Sequence, residues 1–218
     1  MFTMDDVSRA THKHRPVFYK VLYPIVKPLT WVIVNYTNIS ANFVTLVSFI
    51  FVIASTILFV KGLFLYGSVC FLIRCILDNA DGRIARLRNQ ASKFGALFDN
   101  ITGYLASAMC TIALVYTLNP TIIVFLVPFV VIMSVIHPVQ HIIVMLLLKE
   151  TREREFLEFM SFEDVRLLAF VLVPLLPYVM QIKAISLLPV LILTVSLFSV
   201  KQLTWFVYYY NEFNDYII

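Results

Sequence analysis

The chain has 218 residues, of which 61% are hydrophobic and only 14% charged, with a formal net charge of +4. A water-soluble domain of this length cannot bury so much apolar surface, so much of it must face lipid. The apolar runs suit spanning helices rather than barrel strands, and the fold class read from them is an all-α integral membrane protein.

The opening stretch, MFTMDDVSRATHKHRP, has no apolar core before a small-residue cleavage site and is not read as a signal peptide. Next comes HKHRPVFYKVLYPIVKPLTWVIVNYTNIS, whose aromatic and aliphatic residues are interleaved with Lys20 and Lys27 and broken by Pro16, Pro24 and Pro28. That composition predicts an amphipathic surface helix in the headgroup layer, its lysines facing anionic lipid. Two lysines within eight positions make a seventh span there costly. Six spans are then predicted over residues 43–60, 63–82, 96–117, 121–148, 166–181 and 186–207. The fourth is long and holds Pro128 and Pro138, which suits a tilt or kink. The expected organisation is a cytoplasmic tail and interfacial arm over 1–42, a six-transmembrane-helix bundle over 43–207, and a tail over 208–218. Cys70, Cys75 and Cys110 lie inside apolar runs, odd in number and without metal spacing, and are read as packing residues.

With the N-terminus placed in the cytoplasm, the inner side carries Arg9, Lys13, Arg15, Lys20, Lys27, Arg83, Arg86, Arg88, Lys93, Lys149, Arg152, Arg154 and Arg166. Only Lys61 and Lys183 fall outside, and Arg74 and Lys201 lie within spans. This asymmetry sets the expected orientation and makes the chain multi-pass with its charged segments facing the cytoplasm.

Most acids sit in tails or in the charged loop holding Glu150, Glu153, Glu155, Glu158, Glu163 and Asp164, where solvation explains them. Asp78, Asp81 and Asp99 remain, at span ends, where ionisable groups default to functional candidates. Asp78 and Asp81 share a helix face if the second span runs on past the membrane surface, with Gly82 and Ala85 leaving that face without bulk. Asp99 lies a turn into the third span, and Gly95 a turn before it. Short acids from two neighbouring helices make a hard oxygen site suited to Mg²⁺ or Mn²⁺. Arg83, Arg86, Arg88 and Lys93 close by would repel a metal but welcome a phosphate, so a metal bridging to a phosphorylated substrate is expected. The competing reading is structural ion pairing, such as Asp81 with Arg88 or Asp78 with Arg74. A transporter fits poorly, since the acids cluster at one surface.

The stretch DNADGRIARLRNQASKFGALFD resembles the signature of the CDP-alcohol phosphotransferases, D-x-x-D-G-x-x-A-R, eight residues, then G-x-x-x-D-x-x-x-D. Asp78, Asp81, Gly82, Ala85, Arg86, Gly95 and Asp99 stand at the required spacing. Asn42 and Thr45 match an N-x-x-T element of the family, with Ala41 where a proline is usual. The resemblance implies transfer of a substituted phosphate from a CDP-linked donor, such as CDP-diacylglycerol, to an alcohol acceptor with release of CMP. It implies Asp78, Asp81 and Asp99 as metal ligands, Asp99 also counting as catalytic. Gly82 and Ala85 would leave room for the nucleotide, Gly95 belongs to the same signature, and Arg86 would support the phosphates or the aspartates. Membrane lipids are implied partners, and no nucleic acid is expected.

The family's last aspartate belongs at position 103, where this chain has Gly103. In relatives that residue is thought to help hold a second metal and to take the acceptor's proton, and no neighbouring acid replaces it. A rearranged base, a catalytically silent CDP-donor-binding relative or scaffold, and an altered chain all remain open. His141, with His137 one turn away in HPVQH, is a candidate base. Counted inward at 1.5 Å per residue it lies about 12 Å deep, against roughly 10 Å for position 103. Gly95, Gly103 and Ser107 also form a small-residue stripe compatible with a homodimer or with tight bundle packing.

Overall fold

In a computed structural model, the structure describes residues 1–10, 17–118 and 166–180. Among them every regular element is helical: α1 (Met4–Arg9), α2 (Val17–Tyr36), α3 (Ala41–Val60), α4 (Phe64–Leu87), α5 (Lys93–Leu118), a π-helical turn (Leu168–Leu172) and α6 (Val173–Met180). Among the described residues, α3 and α5 are the two helices long and apolar enough to cross a membrane. The predicted fourth and sixth spans, His137, His141 and the 208–218 tail lie outside the described residues.

The short helix α1 forms because Thr3 and Asp6 cap it reciprocally, each satisfying a backbone N–H near its start. The Thr3 backbone and hydroxyl donors hold the Asp6 carboxyl below its usual 3.8. α1 is then strapped to α2. The Phe2 N–H donates to Asn35 Oδ1 at 2.8 Å, Trp31 Nε1 donates to the Phe2 carbonyl at 2.9 Å, and the Tyr23 hydroxyl donates to Ser8 at 2.8 Å.

The helix expected in the N-terminal arm forms as α2 and runs unbroken through Pro24 and Pro28. Proline leaves the carbonyl four residues earlier without its helical donor, and both prolines lie on the exposed side, where those carbonyls can be solvated or meet headgroups. The C-terminus of α2 is closed from outside the helix. The Arg88 guanidinium donates to the carbonyls of Ile33 (3.0 Å), Val34 (3.3 Å), Thr37 (2.6 Å) and Ile39. A planar fork of donors suits a set of convergent carbonyls that a lysine could not serve together. Arg88 is therefore a cap for α2, not the partner of Asp81.

α3 is the hub, packing along both α4 and α5, while α4 and α5 make little contact with each other. Its outward stripe is apolar and exposed: Phe43, Leu46, Ile50, Ile53, Ile57 and Val60. Its inward stripe includes Thr45, Ser48 and Ser55, all buried. The pattern inverts that of a soluble helix, as lipid contact requires, and each inner hydroxyl finds a protein partner. Ser55 donates to the Gly67 carbonyl on α4 at 2.8 Å, and Thr117 on α5 donates to the Phe59 carbonyl at 2.8 Å. α4 continues to Leu87, beyond the predicted end at 82, which keeps Asp78, Asp81, Gly82 and Ala85 in one helix. The segment from the π turn into α6 packs on α4, with Phe170 against Phe71 at a centroid distance of 4.8 Å.

The α3–α4 crossing depends on the missing side chain at Gly67. A Cβ there would lie 2.5 Å from the ring of Phe59, which is itself completely buried. Gly67→Ala is expected to destabilise the bundle by about 1–3 kcal/mol, the usual cost of overpacking. Thermal unfolding in nanodiscs checks this, and adding Phe59→Leu should recover a substantial part of the loss.

Candidate active site

α4 brings Asp78 and Asp81 to its inward face, and the two acids are held differently. Asp78 forms an ion pair with Arg74, one turn earlier, at 2.5 Å, with both side chains almost fully buried. The Arg74 guanidinium also lies 5.7 Å from the Phe71 ring. Asp81, only 3% exposed, accepts a hydrogen bond from the Thr45 hydroxyl of α3 at 2.5 Å. The same hydroxyl lies 3.2 Å from the Ala41 carbonyl, but it has one hydrogen, and the shorter contact takes it. The N-x-x-T element thus touches the site directly. Asn42 adds a second link, since a Cβ on Gly95 of α5 would stand 3.4 Å from its Oδ1.

Asp99 stands on α5, half-buried, with its carbonyl accepting from the Thr102 hydroxyl at 2.8 Å. Among the described residues no three His, Cys, Asp or Glu side chains lie close enough to form a metal-ligand set. The structure therefore brings together the two α4 acids and Thr45, and leaves Asp99 on a helix that packs against α3 rather than α4. The chemistry of the donors still suits a hard divalent cation, all of them short carboxylates on two helices flanking one hub.

Arg86 also reaches the N-terminal helix. Its Nε donates to the Ala10 carbonyl at the C-terminus of α1 at 2.6 Å, so the signature arginine holds the N-terminal helix to the rim of the site. A Cβ on Gly82 would meet Arg86 Nη1 at 3.4 Å, an ordinary contact. Arg83 is fully buried, its guanidinium 5.1 Å from the Tyr23 ring of α2. Three of the expected phosphate-facing cations, Arg83, Arg86 and Arg88, thus each make contacts to the N-terminal arm.

Position 103 is not an empty slot. The guanidinium of Arg166 lies against it, and a Cβ on Gly103 would fall 2.9 Å from Nη1, 3.2 Å from Nη2 and 3.3 Å from Cζ. Arg166 Nε donates to the Ser107 hydroxyl at 2.8 Å, and Cζ sits 5.8 Å from the Tyr104 ring centroid. Arg166 is 8% exposed. Sequence reasoning counted it only among the inner-surface charges. The available signal was its position at the predicted start of the fifth span, where burying an arginine demands a reason.

The sequence pattern of the CDP-alcohol phosphatidyltransferase family matches residues 38–199, about three-quarters of the chain and all of the acidic segment. The chain belongs to that family, a membrane family of enzymes that transfer phosphate groups from CDP-alcohol donors. Comparison with curated proteins finds no match.

The Thr45–Asp81 contact is the most confined polar link of the site. Thr45→Val keeps the shape and removes the donor, and should cost about 1–3 kcal/mol, the range for leaving a buried polar group without its partner. Thr45→Ser should retain most of the stability. Paired thermal unfolding curves of the two variants provide the check, and equal losses would mean that shape, not the hydroxyl, matters there.

Proposed function

We propose that the chain transfers a substituted phosphate from a CDP-linked donor, such as CDP-diacylglycerol, to an alcohol, with release of CMP, in phospholipid or related biosynthesis. The observation that carries the reading is the family match, which spans the acidic segment and the N-x-x-T element that contacts it. In the transfer, a bond forms between the acceptor oxygen and the outer phosphorus, the bridging P–O bond breaks, and CMP leaves with the electron pair.

Asp78, Asp81 and Asp99 would hold Mg²⁺ or Mn²⁺. When bound, the ion neutralises the diphosphate and stabilises the departing CMP. The chain's own contributions are positional. Thr45 fixes the Asp81 carboxylate, Arg74 holds Asp78 in line, and Gly82 and Ala85 keep the α4 face low where the nucleotide approaches. Arg86 ties the N-terminal helix over the rim. His141 is the proposed acceptor of the alcohol proton, histidine being the side chain most often used as a general base. The six-span bundle over 43–207, the arm over 1–42 and the cytoplasmic placement of the site belong to the same proposal, supported by the skewed distribution of Lys and Arg.

A second reading has its own observation: Gly103 supplies no carboxylate. A catalytically silent relative would bind the CDP-donor and release no CMP. Radiolabelled CMP release in vesicles, with CDP-diacylglycerol and a panel of alcohol acceptors, separates the two.

Two variants probe the acids. Asp78→Asn and Asp99→Asn should both sharply reduce Mg²⁺-dependent CDP binding measured by calorimetry, because each removes a charge and a ligand together. Only Asp78→Asn also breaks the Arg74 pair, so a loss confined to that variant would assign the acids to structure rather than to metal. For the base, His141→Ala should lower turnover by about 10²–10⁴-fold with CDP-donor affinity nearly intact. Turnover within about threefold of the parent would remove His141 from the mechanism.

A further inference from the structure

The six residues of α1 are too few to form a stable helix alone, so its folding and its docking are one event. Its contacts run over its whole length. The Asn35 side-chain amide on α2 accepts from the Phe2 N–H at 2.8 Å and donates to the Phe2 carbonyl at 3.1 Å. Trp31 Nε1 donates to that same carbonyl. Val7 is completely buried, and the Tyr23 hydroxyl donates to Ser8. At the far end the Ala10 carbonyl takes Arg86 Nε from α4 at 2.6 Å.

This last contact orients the arginine. With Nε turned to Ala10, the rest of the guanidinium folds back over Gly82, where a Cβ would stand 3.4 Å from Nη1, 3.6 Å from Nη2 and 3.8 Å from Cζ. Asp81, the neighbouring residue, lies within its electrostatic reach. A planar fork held at one edge presents its other edge in a set direction, which a flexible point charge does not.

We propose that α1 is a positioning strap, whose docking holds the Arg86 guanidinium over Gly82, beside Asp81, in the orientation that meets a diphosphate. The inference rests on the CDP-donor reading proposed above. It adds that residues outside the signature, chiefly Phe2, Trp31 and Asn35, set how the signature arginine binds. Such coupling is reciprocal: a nucleotide that draws on the strapped arginine tightens the strap by the same factor.

The test is a double-mutant cycle on CDP affinity, by calorimetry in nanodiscs with Mg²⁺ present. The cycle comprises the parent, a chain lacking residues 2–10, Arg86→Lys, and the two changes combined. Lysine keeps the charge and gives up the fork. The deletion should weaken CDP binding about tenfold or more in the parent, the scale of a hydrogen bond to a charged group, and by less than about threefold in Arg86→Lys. Circular dichroism and size-exclusion profiles check the fold. An equal loss in both backgrounds would make α1 a general stabiliser and overturn the proposal, as would parent-like affinity after the deletion. A parent that binds no CDP would overturn both this inference and the reading beneath it, an outcome distinct from the others. Amide hydrogen exchange supplies a second arm. The Val7 and Ala10 N–H groups donate to the Thr3 and Asp6 carbonyls, so their exchange reports release of α1. Saturating CDP should slow that exchange about tenfold in the parent and leave it nearly unchanged in Arg86→Lys. No slowing in a parent that binds CDP would overturn the strap. Should the deletion misfold, Asn35→Leu, which releases Phe2 and leaves the chain whole, carries the same cycle.

Discussion

A buried carboxylate inside a membrane bundle is stable only where the protein itself supplies its partner, and the Thr45 hydroxyl supplies one for Asp81. That contact joins α3, the hub helix, to α4, the helix that carries the signature. Much else in the bundle follows from the same rule. α3 turns its apolar stripe to lipid and Thr45, Ser48 and Ser55 inward; Thr45 and Ser55 bond to α4, Thr56 meets Cys110 of α5, and Ser48 bonds back to the Thr45 carbonyl. The interior is thus a polar seam bounded by apolar surface, and Asp81 belongs to that seam rather than intruding into a greasy core.

The rule also explains how the charges are distributed around the acids. Arg74 neutralises Asp78 from the same helix, which needs no neighbour and survives small shifts of the bundle. Arg83, Arg86 and Arg88 reach the other way, to Tyr23, to the end of α1 and to the end of α2. The basic run between the signature acids therefore doubles as the attachment of the N-terminal arm. The N-terminal helices are thereby bolted to the helix that carries the signature by three arginines.

What could be read from the sequence followed from local regularities. Composition gave the membrane class, the spacing of Asp78, Asp81, Gly82 and Ala85 gave a common helix face, and the signature gave the family, which the match over residues 38–199 bears out. α3 and α5 emerged within a few residues of their predicted ends. The contacts that escaped the sequence share a cause. Arg88, offered on charge spacing as a partner of Asp81, serves the carbonyls at the end of α2, and Arg86 adds a contact to the Ala10 carbonyl that spacing did not announce. Free carbonyls at helix ends are strong acceptors that carry no side-chain signature. Which arginine will find them depends on tertiary placement, and charge spacing along the chain does not record it.

Gly103 shows the same limit in its sharpest form. Seen along the chain it is a loss, one negative charge missing from a row of acids. Seen in the fold it is also an admission, because the vacated volume is taken by a cation from a helix far away in sequence. The missing side chain at 103 is what lets the Arg166 guanidinium pass close to α5 and donate to Ser107, so a reading of either residue alone misjudges the packing there.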